Sequence, residues 1–164
     1  MVPYYVIFHA MFVASVGFAF WKGGPPERLG AAVLVAMAVI QPIAHLVTPL
    51  RFHKVDTAGL TVDLMAFAGM AVIALYADRK WPLWTAALQL LACAAHLVRI
   101  LSIKVEPLVY GTMKAAPTFA VLFVLVIGTE MHRRRLRRHG ADPSWVTSYP
   151  PPSWMRSMDR SSKS

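Results

Sequence analysis

Apolar stretches of membrane-crossing length dominate this chain and constrain its fold more than any motif. A helix needs about 20 apolar residues to traverse a hydrocarbon core of about 30 Å. Val2–Trp21, Leu29–Leu50, Thr57–Ala77, Trp81–Val98 and Leu108–Thr129 each meet that need. Their ionisable side chains are sparse: His9, His45, Asp63, His96 and Lys114, in that order. The apolar residues run in blocks and do not alternate with polar ones, which excludes a β-barrel. With no water to satisfy an open backbone, helices are the solution that remains. The expected fold is an all-α integral membrane bundle of five transmembrane helices, at about 4–21, 30–50, 58–77, 82–101 and 109–130. The short link Ser102–Pro107 leaves room for a count of four, with one block re-entrant.

Composition agrees. Of 164 residues, 57% are hydrophobic and 15% charged, against roughly 25% charged in soluble domains. A lone cysteine, Cys93, excludes a disulfide framework and any CxxC metal or redox site. Lys22-Gly-Gly-Pro-Pro-Glu-Arg28 reads as a Gly/Pro turn. Pro82 suits the first turn of the helix after Asp78-Arg-Lys80. Trp21, Trp81, Trp84, Tyr76 and Tyr110 fall near block ends, where an interfacial aromatic belt belongs. Val2–Trp21 lacks a basic start and a small-residue cleavage site, so it reads as a retained anchor.

The formal net charge of +9 is uneven. Arg133, Arg134, Arg135, Arg137 and Arg138 directly follow the last block. The positive-inside rule places them in the cytoplasm, and five crossings then put the N-terminus in the periplasm. The cluster reads as a topology determinant that attracts anionic lipid, at about 1 kcal/mol per charge, and not as a nucleic-acid site. Residues 133–164 are expected as a basic juxtamembrane segment and a disordered tail, with Pro150-Pro151-Pro152 and a Ser-rich end. Trp145 and Trp154 suit the inner membrane surface.

Ionisable groups inside a membrane are candidates for function. His9, His45, Asp63, His96 and Lys114 each fall about five residues from the outer end of their helix, which at about 1.5 Å per residue makes one layer roughly 7–8 Å deep. Gln41, Cys93 and Arg99 extend it. The first reading is structural: interhelical bonds, with Asp63 paired to Arg99 or Lys114, each bond worth about 0.6 kcal/mol. The second is a cofactor site. His9, His45, Asp63 and His96 have the donor types of a metal centre, and His45 with His96 suits the axial ligands of a haem. No HxxxH, HExxH or CxxCH spacing supports either. The third is a proton or small-solute path through Asp63 and the histidines. No GxSxG or phosphate-loop motif marks an enzyme.

Asp78-Arg-Lys-Trp-Pro-Leu-Trp84, with Gln89-Leu-Leu91 and His96, and the ending His132-Arg-Arg-Arg-Leu-Arg-Arg-His-Gly-Ala-Asp-Pro-Ser-Trp145, resemble small polytopic membrane proteins of alphaproteobacteria, sphingomonads in particular. That resemblance implies a bacterial inner-membrane protein and brings no activity or cofactor with it. The expected function is therefore a non-enzymatic accessory or scaffold protein without a cofactor, acting through a membrane-protein partner or a second copy. The alternative is a metal, haem or proton-relay site in the polar layer.

Overall fold

The computed structural model describes residues 4–47, 56–101 and 107–146; the side chains of 4, 97–100, 107–108, 110–111 and 114 stay outside that description. Among these residues five helices follow one another: α1 Tyr4–Lys22, α2 Pro25–Val47, α3 Thr57–Tyr76, α4 Trp81–Ile100 and α5 Pro107–His139. Among the described residues there is no strand, only an isolated bridge between Ala77 and Trp145. By length and composition, α1, α2, α3 and α5 can each cross a membrane. Large apolar side chains face outward along the bundle, Val13, Leu46 and Leu75 among them, as a lipid solvent requires.

Each helix packs on its neighbours in sequence, and α1 against α5 closes the ring. Buried alanines permit close approach: Ala19 on α1, Ala31 on α2, Ala66 on α3, Ala95 on α4. Leu34, Met70, Leu122 and Leu125 fill the centre.

Three boundaries correct the expectation. Helix α2 begins at Pro25, not near residue 30. Pro25 and Pro26 lack N–H groups, and the first turn of a helix has no partner for them, so both residues fit inside it. Glu27 completes the start by reaching back to accept from the Gly24 N–H at 3.1 Å, one half of a capping box. Helix α5 continues past residue 130 to His139, 33 residues in all, or about 50 Å. The arginine cluster is therefore helical, and Arg137, Arg138 and His139 face a favourable dipole at its end. Residues 140–146, just beyond it, are held against the bundle. Gly140 adopts φ +70° and stops the helix. Residues 141–146 then fold back, and the Asp78 N–H donates to the Ser144 carbonyl at 3.2 Å. Residues 147–164, with Trp154 and the proline run, lie outside the described residues.

Two turns and the end of α5 meet at one pole. Trp81, at the head of α4, donates from Nε1 to Glu27 Oε1 on α2 at 2.9 Å. A methyl group placed on Gly30 of α2 or Gly128 of α5 would stand 2.7 Å from the indole. These two glycines thus form the slot that admits Trp81.

Candidate functional site

The expected single layer divides into two levels. Near the start of α3, His45 Nδ1 on α2 lies 3.7 Å from Asp56 Oδ1. Asp56 also caps α3, accepting from the Gly59 N–H at 2.8 Å. Seven residues along α3, about 10 Å deeper, Asp63 is buried against α4. Its Oδ2 accepts from His96 Nε2 at 3.1 Å. The His96 ring is fully buried and Asp63 is 7% exposed at its side chain.

Asp63 also faces a cavity of about 450 Å³. Its lining combines His9, Gln41 and Thr118 with the rings of Phe8, Phe12 and Phe119. Phe8 and Phe119 meet edge to face at 5.1 Å. His9 is exposed and donates from Nδ1 to the carbonyl of Tyr5, one turn back on its own helix, at 2.7 Å. The side chains of Arg99 and Lys114, expected as partners for Asp63, lie outside the described residues.

Asp63 therefore stands with His96, while His9 shares only its cavity and His45 belongs to the other level. Among the described residues no group of three His, Cys, Asp or Glu side chains comes together to hold a metal ion. His45 and His96 contact different carboxylates, Asp56 and Asp63, so the geometry does not pair them as haem ligands. Cys93 is buried one turn from His96.

Helix α4 carries more than the dyad. Thr85, Gln89 and His96 are all fully buried on it. Gln89 donates from Nε2 to the Met37 sulfur at 3.5 Å, its best partner. Among the described residues Gln89 Oε1 and His96 Nδ1 have no hydrogen-bond partner, at about 1–3 kcal/mol for each buried polar atom left so. From Thr85 to His96 is eleven residues, about 16 Å along the axis.

The pole with the arginines holds a second cluster that the sequence reading missed. Asp142, after the end of α5, is the hub. Its Oδ2 accepts from His132 Nδ1 at 2.6 Å and lies 2.7 Å from Arg79 Nη2. Its Oδ1 lies 3.3 Å from Arg135 Nε. The two arginine contacts are close ion pairs without aligned N–H bonds. Arg79 and Asp142 are both nearly buried, at 4% and 5% exposure. Glu27 is fully buried beside them, held by Trp81 and Gly24. The site for His132 exists because Gly24 lacks a side chain; a methyl there would stand 2.8 Å from the imidazole. Further along α5, Glu130 pairs with Arg133 at 3.3 Å and Arg134 at 3.1 Å. Arg137 and Arg138 are exposed.

One signal for this cluster was present: an acidic residue three places after Gly24 is the spacing of a capping box. Nothing local links Glu27 to Trp81 or Asp142 to Arg79. Comparison with protein-family models, curated proteins and solved structures finds no match for this chain.

Proposed function

We propose that this chain is a five-span protein of a bacterial inner membrane, N-terminus periplasmic and C-terminus cytoplasmic, that moves protons through its helix bundle. The observation that carries this reading is the Asp63–His96 pair, buried between helices yet open through Asp63 to a cavity. An ionisable pair in that setting is expensive to keep for structure alone. The fully buried His96 ring has Nε2 committed to Asp63 and, among the described residues, no partner at Nδ1. A proton taken up at Nδ1 turns the hydrogen-bonded pair into an ion pair, and a proton released there restores it. Gln89 and Thr85 continue the buried polar face of α4 toward Glu27 and His132 at the opposite pole.

Helix α4 counts as a span because it equals α3 in length, at 20 residues, and packs between α3 and α5. The arginines at the end of α5 support the cytoplasmic assignment. The protein is read as non-enzymatic and without a metal or haem. A second reading, an accessory or scaffold protein, draws on the exposed Arg134, Arg137 and Arg138, which project a charged helix end toward a partner.

The test is proton flux in liposomes that hold a pH-sensitive dye, driven by a potassium diffusion potential. The expected result is flux above that of protein-free liposomes, lost in Asp63→Asn and reduced in His96→Gln. Wild-type flux no greater than that of protein-free liposomes would overturn the proton reading and leave the scaffold reading.

A further inference from the structure

The arginine pole also holds a cavity of about 750 Å³ between the α1–α2 turn, the end of α5 and the folded-back segment. Lys22, Arg28, Arg133 and Arg137 line it, with Trp21 and Trp145. Asp142 also reaches this lining, but its charge is already met by Arg79 and Arg135, and it accepts a hydrogen bond from His132. Arg133 has Glu130. Lys22 rests on the Trp21 ring, with Nζ 4.0 Å from the centroid. No carboxylate among the described residues pairs with Lys22, Arg28 or Arg137. The depression thus keeps an uncompensated positive charge, framed by indoles, at one end of an apolar bundle.

We infer that this cavity is a site for the headgroup of an anionic phospholipid. Phosphate is the anion that several Arg and Lys donors around one depression recognise. Tryptophan is the side chain suited to headgroup depth. An apolar track for the acyl chains starts at the same place: the exposed face of α1 runs back from Trp21 through Phe20, Gly17 and Val13. A free anion has no use for that track.

The folded-back segment makes the site specific. Trp145 and Ser144 form one wall, and they are held there by the Asp142 contacts and the Asp78–Ser144 hydrogen bond. Asp142 therefore builds a site for anions although it is itself an anion. A diffuse basic surface and a walled pocket respond in opposite directions when that carboxylate is neutralised. The inference needs the membrane placement only and is independent of proton movement at Asp63.

The experiment uses the full chain in nanodiscs of phosphatidylcholine with a minor share of phosphatidylglycerol. Native mass spectrometry counts the phosphatidylglycerol that stays bound. Removing one cation from a headgroup site weakens binding about five-fold, the factor for about 1 kcal/mol per charge. The Arg28→Gln, Arg137→Gln double variant is expected to lose about 25-fold on that basis. The Arg134→Gln, Arg138→Gln double variant removes the same charge from positions off the cavity and is expected to retain most of the binding. Asp142→Asn, which raises the net charge, and Trp145→Ala, which leaves it unchanged, are both expected to lower retention.

Equal losses in the two double variants, or a gain in Asp142→Asn, would overturn the pocket. Displacement of the lipid by millimolar inorganic phosphate would replace the lipid with a free anion. A chain that stays in solution without detergent would sink the membrane placement itself.

Discussion

Asp63 and His96 are thirty-three positions apart in sequence and 3.1 Å apart in space. Each alone is an awkward guest in an apolar helix, and together they share one hydrogen bond. That sharing has a thermodynamic signature. Asp63→Asn and His96→Ala should each destabilise the bundle by about 1–3 kcal/mol, the cost of an orphaned buried partner. The double variant should cost less than the sum, by at least about 0.5 kcal/mol. Unfolding in mixed micelles measures all three, and additive values would show that the two side chains do not depend on each other. Both residues were legible as candidates because an ionisable group inside an apolar block stands out. Their pairing was not, since block positions give depth but not helix rotation. His45 shows the cost of that gap: its depth placed it beside Asp63, whereas it contacts Asp56, about two turns of α3 higher.

Helices were the most legible element. An apolar block of bilayer length has few alternatives, and over its described residues each block lies within a helix, save Ala77, the extended cap of α3. Their ends were harder. Pro25-Pro26 looks like a turn on composition but serves as a first helical turn once Gly24 and Glu27 close it. The register between elements rests on side chains that no periodicity reveals. Trp81 occupies a slot made by Gly30 and Gly128. Gly128→Ala in α5 should therefore destabilise the protein by about 1–3 kcal/mol. That outweighs the gain of about 1 kcal/mol in helix propensity that alanine brings elsewhere. Thermal unfolding in detergent measures it, and a stabilised variant would mean that the indole has room to move aside.

The whole molecule is polarised. At one pole, buried charges on α2, α5, the α3–α4 turn and the folded-back segment interlock; at the other lie the cavity beside Asp63 and the start of α3, capped by Asp56. The proposed topology puts these poles on opposite sides of the membrane. In a Cys93→Ala background, Arg138→Cys should react with an impermeant thiol reagent only from the cytoplasm, and Thr57→Cys only from the periplasm; labelling of both from one side would refute the five-span arrangement. The same polarity governs local opening. Asp142→Asn should speed hydrogen exchange at the Asp78 amide, which donates to Ser144, and leave the Asp63 region unchanged. Peptide-level exchange mass spectrometry reads both at once, and an unchanged Asp78 amide would show that the segment holds without its carboxylate. Beyond the capping-box spacing of Glu27, this interlock was not legible in sequence, where Asp142 belongs to a tail rich in proline and serine. Trp81 brings out a mechanical consequence. One side chain on α4 is keyed into α2 through Glu27 and Gly30 and into α5 through Gly128, so those helices can neither slide nor roll past each other there. They are hinged like the arms of tweezers. On α2, from Gly30 at the key to Gln41 in the cavity lining, the arm is eleven residues, about 16 Å, and a tilt of about 5° at the hinge moves its far end by about 1.4 Å. Any tilt of α2 against α5 at that key is therefore larger at the cavity beside Asp63, whose lining both helices supply.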